Sequence, residues 1–246
     1  DGILTRIAAE LASVAPVTAS VAAMGYLRER GIDHTEARDW YALPDGPARD
    51  EVVAAVLDEI GFDEWIASGL ATSTGEHAGR WAWSWRGPRL VIPWRSPDRS
   101  ANALQGRYMG REPDGVRRYA YPTGRSPSWP YGVDVLAAQP REVSAVVCEG
   151  AISAASFNAL ARTSGVNAYA VATGSAGAWD ARWFRCFVDR RCIVAFDNDK
   201  TGREKAEVMA ERLRAVARRG DVTVRLPAIE GDWNDVLRAR AAREVA

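Results

Sequence analysis

The chain is poor in soft and imidazole ligands. Three cysteines, Cys148, Cys186 and Cys192, and two histidines, His34 and His77, are all that its 246 residues contain. No two cysteines form a C-x-x-C pair, which argues against both a disulfide framework and a zinc site. They read as buried small hydrophobes of a reducing, cytoplasmic compartment. With so little histidine, neither a histidine-metal centre nor a Ser-His-Asp triad has support. No uncharged run is apolar enough to span a bilayer, because Leu11 to Leu27 is broken by Pro16 and several Ser and Thr, so no membrane association is expected. No G-x-x-x-x-G-K-[ST] occurs, so a P-loop motor is not encoded in these residues. Net charge is lacking too, with 32 basic against 32 acidic side chains. The chain starts at Asp1 without methionine, which suggests a fragment or a processed chain.

What is present is unevenly placed. Between Gly79 and Arg125 ten arginines stand against three acids, whereas residues 1–70 carry five arginines and thirteen acids. The neutral total therefore hides a basic middle, the pattern of an anion-binding face, with an evenly solvated basic surface as the bland alternative. The composition is 47% hydrophobic, ample for one large domain or two small ones.

Patterning divides the chain into three segments. Residues 1–70 read as helices, with Ile3, Leu4, Ile7 and Leu11, then Val17, Val21, Met24 and Leu27, at helical spacing. A further helix is expected from Asp50 to Ile60, ending at Gly61. Residues 71–140 read as a small basic α+β subdomain. Trp81, Trp83 and Trp85 alternate as on a strand, and Leu90–Trp94 and Leu104–Tyr108 are two further strands. Arginines interleaved with rings suit a single-strand nucleic-acid groove, although the Trp stripe itself reads better as core. Residues 141–246 alternate strictly between apolar runs and helical patterns. The runs are Val143–Cys148, Ala168–Ala172, Cys192–Phe196 and Val222–Leu226, with helices expected over Ala151–Arg162, Trp179–Phe187, from Asp199 to about Arg219, and from Trp233. Such alternation predicts an α/β fold with a parallel sheet flanked by helices.

The last segment is organised around Arg191 to Leu213, where a buried run stops at Asp197-Asn198-Asp199 and turns through Thr201-Gly202 into a helix. Asp197 and Asp199 alternate, so on extended backbone both carboxylates point the same way. Two hard oxygen ligands beside a helix N-terminus suit Mg²⁺ carrying phosphate oxygens. The bland reading is a polar turn with Asp199 or Thr201 as helix cap, and D-x-D-x-x-G alone favours it. The neighbours alter the balance. Glu149-Gly150 closes the first run, and Asp232-Trp233-Asn234-Asp235 comes after the fourth. In a parallel sheet these ends share one edge, so distant carboxylates converge. Metal-assisted phosphoryl transfer is the chemistry that wants them there. Gly150 lets a nucleotide approach the backbone closely, and Gly174-Ser175-Ala176-Gly177 is a candidate phosphate-facing loop.

VVCEGAISAASFNAL, YAVATGSAG, IVAFDNDKTGREKA and RLPAIEGDWNDVL together resemble a Toprim domain of the bacterial DnaG-type and phage primase kind. Upstream, GYLRERGIDHTEARDWYAL, PRLVIPWRSPDRSANALQGRYMGR and RRYAYPTGRSPSWPYGVDVL resemble successive parts of the primase polymerase core, so the likeness spans Gly25 to Leu237. The resemblance implies Glu149 as an acid/base or metal-linked carboxylate, Asp197 and Asp199 as principal ligands of Mg²⁺ (or Mn²⁺), and Asp232 as a further acid. It implies Arg107 as a basic position beside template or nucleotide, Arg117 or Arg118 as another, and Lys200 as a further cation near the site. Two departures stand out. Ser153 occupies a position where the family usually has an acid, and no lysine lies near Ser126, where Arg125 is the substitute.

The implied activity is that of a DNA primase core from a phage, plasmid or other mobile replicon, making short RNA primers on single-stranded DNA from NTPs beside a replicative helicase. The basic middle would face the Toprim carboxylates. The rivals are a Toprim nuclease using the same acids and a catalytically weak Toprim module that only binds DNA. The upstream likeness counts against the first, and Glu149, Asp197 and Asp199 count against the second. The cysteine-rich zinc module that accompanies such primases is absent from these residues.

Overall fold

The computed structural model describes residues 2–73, 81–217 and 221–245. The chain separates into two compact units, one of residues 1–27 and 37–128 and the other of residues 28–36 and 129–246.

In the first unit, helices α1 (Gly2–Val14), α3 (Pro47–Ile60) and α4 (Phe62–Ala67) pack with the strands around one apolar core. Leu4, Ile7 and Leu11 of α1 are buried as their spacing predicts. Helix α2 (Val21–Glu29) departs from the pattern, because Pro16 starts a single 3₁₀ turn over Val17–Ala19 that rotates the helix after it. Its buried face is Ala23, Tyr26 and Leu27, while Val21, expected inside, is 90% exposed. Residues 1–70 are also not all helical. Strand β1 (Tyr41–Leu43) lies antiparallel to β4 (Arg89–Arg95), which pairs with β5 (Ala101–Tyr108), and β5 with β6 (Tyr119–Ala120). A three-residue strand is too short for alternation to show, and its three side chains are all buried. A separate ribbon joins β2 (Ala71–Ser73) to β3 (Trp81–Trp83). Trp85 is buried, in keeping with a core reading, whereas the side chains of Trp81 and Trp83 lie outside the described residues, as do His77 and Arg80.

The second unit is a four-stranded, wholly parallel sheet in the order β10-β9-β7-β8, where β7 is Ser144–Cys148, β8 Ala168–Ala172, β9 Cys192–Val194 and β10 Val222–Val224. This is the helix-flanked parallel sheet that the alternation predicts. Side chains alternate across it. Ala145, Val147, Val171, Cys192 and Val194 face a core completed by α5 (Val133–Ala138), α7 (Phe184–Phe187) and α8 (Lys200–Arg214). The opposite face is covered by α6 (Ala151–Thr163), against which α9 (Trp233–Val245) packs. Helix α6 buries ten of its thirteen residues, which explains its alanine-rich, uncharged first three turns. All three cysteines are free and buried. Expected elements shift only at their ends. The run Trp179–Phe187 becomes a 3₁₀ turn at Ala181–Trp183 followed by α7, and α8 stops at Arg214, short of the expected Arg219, which lies outside the described residues.

Strand β8 is an edge, and its outward backbone groups are occupied. Ala172 exchanges both hydrogen bonds with Tyr131, at 2.8 and 3.1 Å. Ala170 donates to Asn158 Oδ1 at 2.7 Å and accepts from Asn158 Nδ2 at 3.3 Å. Asn158, buried on α6, thus ties the helix to the middle of this edge strand. Asn158→Ala leaves an N–H and a C=O buried without partners, and chemical denaturation is expected to show a loss of about 2–4 kcal/mol. A loss below about 0.5 kcal/mol contradicts this role of the amide.

Candidate active site

Chain order and spatial order disagree at one place in the second sheet. β7 leads to β8 on one side, and the chain then returns to place β9 on the other side of β7. The gap between the carboxyl ends of β7 and β9 is therefore a topological switch point, where open α/β sheets leave a crevice. Glu149 comes directly after β7, and Asp197 lies three residues past β9. The two meet there, with the Asp197 N–H donating to Glu149 Oε1 at 3.2 Å.

Asp199 is the N-cap of α8, its Oδ1 accepting from the Gly202 N–H at 2.7 Å. The capping role expected of a bland turn is thus real, and the same bond fixes the carboxylate at the sheet edge. Gly202 has a steric reason of its own. A methyl group there would run into the Asp197 carbonyl oxygen and come within 2.9 Å of Glu149 Oε1. The glycine of D-x-D-x-x-G therefore lets α8 close on both acids.

Asp232 sits on the loop after β10 and forms a reciprocal box with Asp235. Asp232 Oδ1 accepts from the Asp235 N–H at 2.9 Å, and Asp235 Oδ2 accepts from the Asp232 N–H at 3.2 Å. Helix α9 is held at its start by Trp233, whose Nε1 donates to the Ala195 carbonyl at 2.9 Å, and by the fully buried Asn234. Asn234 Nδ2 donates to the Arg30 carbonyl at 2.7 Å and to Ser156 Oγ at 3.0 Å.

These acids share one electrostatic environment. Burial first, then the charges of Glu149, Asp232, Asp199 and Asp235, push the Asp197 carboxyl up to about 7. Burial also raises Glu149, opposed by the N–H groups of Asp197 and Ala176. The Gly174–Gly177 loop, read as phosphate-facing, thus contributes the Ala176 amide to Glu149, while the Gly174 N–H donates to the Glu149 carbonyl at 2.8 Å. Asp197 Oδ1 is buried without a hydrogen-bond partner. A buried carboxylate oxygen that no donor satisfies, among four further acids, fits a hard divalent cation. Among the described residues no group of three or more His, Cys, Asp or Glu side chains is placed to hold a metal ion as it stands. Ser153, where an acid was expected from the family, is buried in α6.

The other expected residues behave differently. Gly150 is the N-cap of α6, and a side chain there would meet nothing within 4 Å. Lys200 opens α8 and is exposed. Arg107, read as a basic contact, has a side chain only 4% exposed. It pairs with Glu112 at 3.0 Å and lies over the rings of Tyr26 and Tyr119. Arg118 is exposed and also bound by Glu112, at 2.8 Å, and the two arginines hold the Glu112 carboxyl at about 2. Arg117 is exposed, and its carbonyl accepts from the buried Arg89 at 2.7 Å. Sequence reasoning passed over Asn198, Gly202, Trp233 and Asn234 as site-forming residues. Only Gly202 had a visible signal, its fixed place in the motif.

Residues 144–243 match the Toprim domain family. A search of curated proteins finds no match. Among solved structures, the chain is similar to the Aquifex aeolicus primase, determined as its zinc-binding and RNA polymerase domains, with 18% identity and a TM-score of 0.70 over 98% of this chain and 59% of that one. The E. coli primase catalytic core gives 20% identity and 0.68 over 98% and 78%. The RNA polymerase domain of Mycobacterium tuberculosis primase DnaG, in complex with double-stranded DNA carrying a 6-nucleotide overhang, gives 21% and 0.68 over 97% and 80%. The chain thus spans about three fifths of that Aquifex chain.

The raised Asp197 value carries a stability consequence. The folded state holds that proton more tightly than the unfolded chain, so the stabilisation is full below 3.8 and is lost as pH rises through about 7. In metal-free buffer near pH 8, Asp197→Asn is expected to raise Tm by about 2–4 °C and to flatten the fall in stability with pH. An unchanged or lowered Tm contradicts the burial of charge at this position.

Proposed function

We propose that this chain, which carries a Toprim domain and has the fold of DnaG-type primase catalytic cores, is the RNA-polymerase core of a primase. It makes short RNA primers on single-stranded DNA from NTPs, in a phage, plasmid or other mobile replicon and beside a replicative helicase. The observation that carries this reading is the group of carboxylates at the switch point, with the unbonded buried oxygen of Asp197 at its centre. The DNA in the Mycobacterium tuberculosis structure supports a nucleic-acid substrate.

Asp197 and Asp199 are the residues to hold Mg²⁺ or Mn²⁺, with Asp232 as a further contributor. When bound, the cation would neutralise charge developing on the α-phosphate and on the departing pyrophosphate. Glu149, fixed through Oε1 by the Asp197 N–H, accepts the proton of the priming 3′-hydroxyl. The freed oxygen attacks the α-phosphorus, a phosphodiester forms and pyrophosphate leaves. Burial raises the Glu149 carboxyl above its ordinary value, which makes its carboxylate a better proton acceptor. Open space at Gly150 gives the nucleotide room against the backbone. Arg117, Arg118 and Lys200, all exposed, bind phosphates as a salt-sensitive, sequence-independent attraction. Arg107 acts from behind, fixing Glu112 and through it Arg118.

De novo synthesis on single-stranded DNA with labelled NTPs and Mg²⁺ is expected from the wild type and abolished in Asp197→Ala and Asp199→Ala, both folded. Glu149→Gln is expected to slow synthesis by about 10²–10⁴-fold. Full activity in both aspartate variants, or cutting of the template in place of synthesis, overturns the reading. A second test uses pH. A cation must displace the proton that Asp197 keeps up to about pH 7, so the Mg²⁺ needed for half-maximal synthesis rises as pH falls below that value. A requirement that stays constant across that range contradicts Asp197 as ligand.

A further inference from the structure

We infer that Asn198, between the two aspartates, is a positioning residue that holds the Asp232 loop against the end of β9 and thereby sets how tightly the carboxylates take a divalent cation. This rests on the metal-dependent reading of the site. Residues 225–232 have no regular structure, and Ala228, Ile229 and Glu230 are exposed. Asn198 grips this loop at three carbonyls. Its N–H donates to Gly231 at 2.7 Å, and its Nδ2 donates to Pro227 at 3.1 Å and to Ile229 at 3.3 Å. Arg203, one turn into α8, donates to Asn198 Oδ1 at 2.9 Å, which orients the amide so that its NH₂ meets the loop.

The grip is needed because the loop carries a charge toward like charges. Asp232 and Asp235 both disfavour ionised Asp197, so ionised Asp197 repels the end of the loop that Asn198 holds. On its far side the loop is anchored by Trp233 and Asn234 at the start of α9. On its near side Arg225 bonds to Val194 at 2.8 Å, and the span beyond it is held by Asn198. Gly231 turns the chain there at φ 121°, next to Asp232, so the Asn198 N–H bond fixes the residue that aims the carboxylate. An alanine at 198 keeps the backbone bond and removes both side-chain bonds to the loop, together with the acceptor of Arg203. The acids remain, but their spacing is no longer imposed before the cation arrives. Groups that orient metal ligands from behind contribute about 10–100-fold to metal affinity.

The test is thermal denaturation across a Mg²⁺ titration for the wild type, Asn198→Ala, Asp232→Asn and the double variant, with Asn198→Ser carried in parallel should alanine fail to fold. Asn198→Ala is expected to raise the Mg²⁺ concentration giving half the stabilisation by about 10-fold or more. On the Asp232→Asn background the same change is expected to add less than about 2-fold, because Asn198 acts through Asp232. Primer synthesis by Asn198→Ala is expected to recover at high Mg²⁺ with the KM for NTPs unchanged, a rescue that a misfolded site does not show. A folded Asn198 variant with the wild-type Mg²⁺ midpoint, or effects that add fully to Asp232→Asn, overturns the inference. A wild type whose Tm ignores Mg²⁺ removes the metal reading itself, and the role of Asn198 with it.

Discussion

Mutual repulsion among clustered carboxylates, three of them half-buried, is the constraint on the edge of the second sheet. Left alone, Glu149, Asp197, Asp199 and Asp232 would spread into solvent, where each charge is cheap. The chain instead ties them with main-chain donors. Asp197 N–H holds Glu149, Gly202 N–H holds Asp199, and Asp235 N–H holds Asp232. Only Asp197 has a buried oxygen that no donor reaches, and it is the acid whose charged form the site disfavours most visibly. A site that keeps one acceptor unsatisfied while fixing the others carries a cost as it stands, and that cost is what the proposed cation would remove.

The supports lie well outside the acids. Trp233 bonds the backbone between β9 and Asp197, edge-on to Phe157 of α6 with ring centres 4.9 Å apart, so the two helices that cover one sheet face also set the start of α9. Asn158 closes the edge strand, and buried Arg190 gathers the carbonyls of Leu136, Gln139, Pro140 and Val143 ahead of β7. Polar groups in this interior are few, and each named here organises backbone rather than another side chain. That suits strands whose own side chains are small and apolar.

Legibility from sequence tracked the range of the interactions. The parallel sheet could be read because strands buried on both faces are continuous apolar runs, and Val143–Cys148 and Cys192–Phe196 are such runs. Glu149, Asp197 and Asp199 could be read as candidates because each follows closely on an apolar run. Asn198 could not, since its three acceptors lie 29 to 33 residues away on a loop without a pattern of its own. The burial of Arg107 was equally hidden, depending on a turn that brings Glu112 back beside β5. Strand β1 escaped because three residues carry no period, and the buried face of α2 because a single 3₁₀ turn after Pro16 shifts it. Local chemistry was visible in the sequence, and long-range ties needed the structure.

The central claim is that these carboxylates exist to hold a divalent cation at the unbonded oxygen of Asp197. Anomalous scattering from Mn²⁺-soaked crystals of the wild-type chain tests it most directly. One strong peak is predicted at bonding distance from Asp197 Oδ1, with Asp199 or Asp232 as a second ligand and water completing the shell. Ordered crystals with no peak at Asp197, or with Mn²⁺ bound only at other acids, would contradict it.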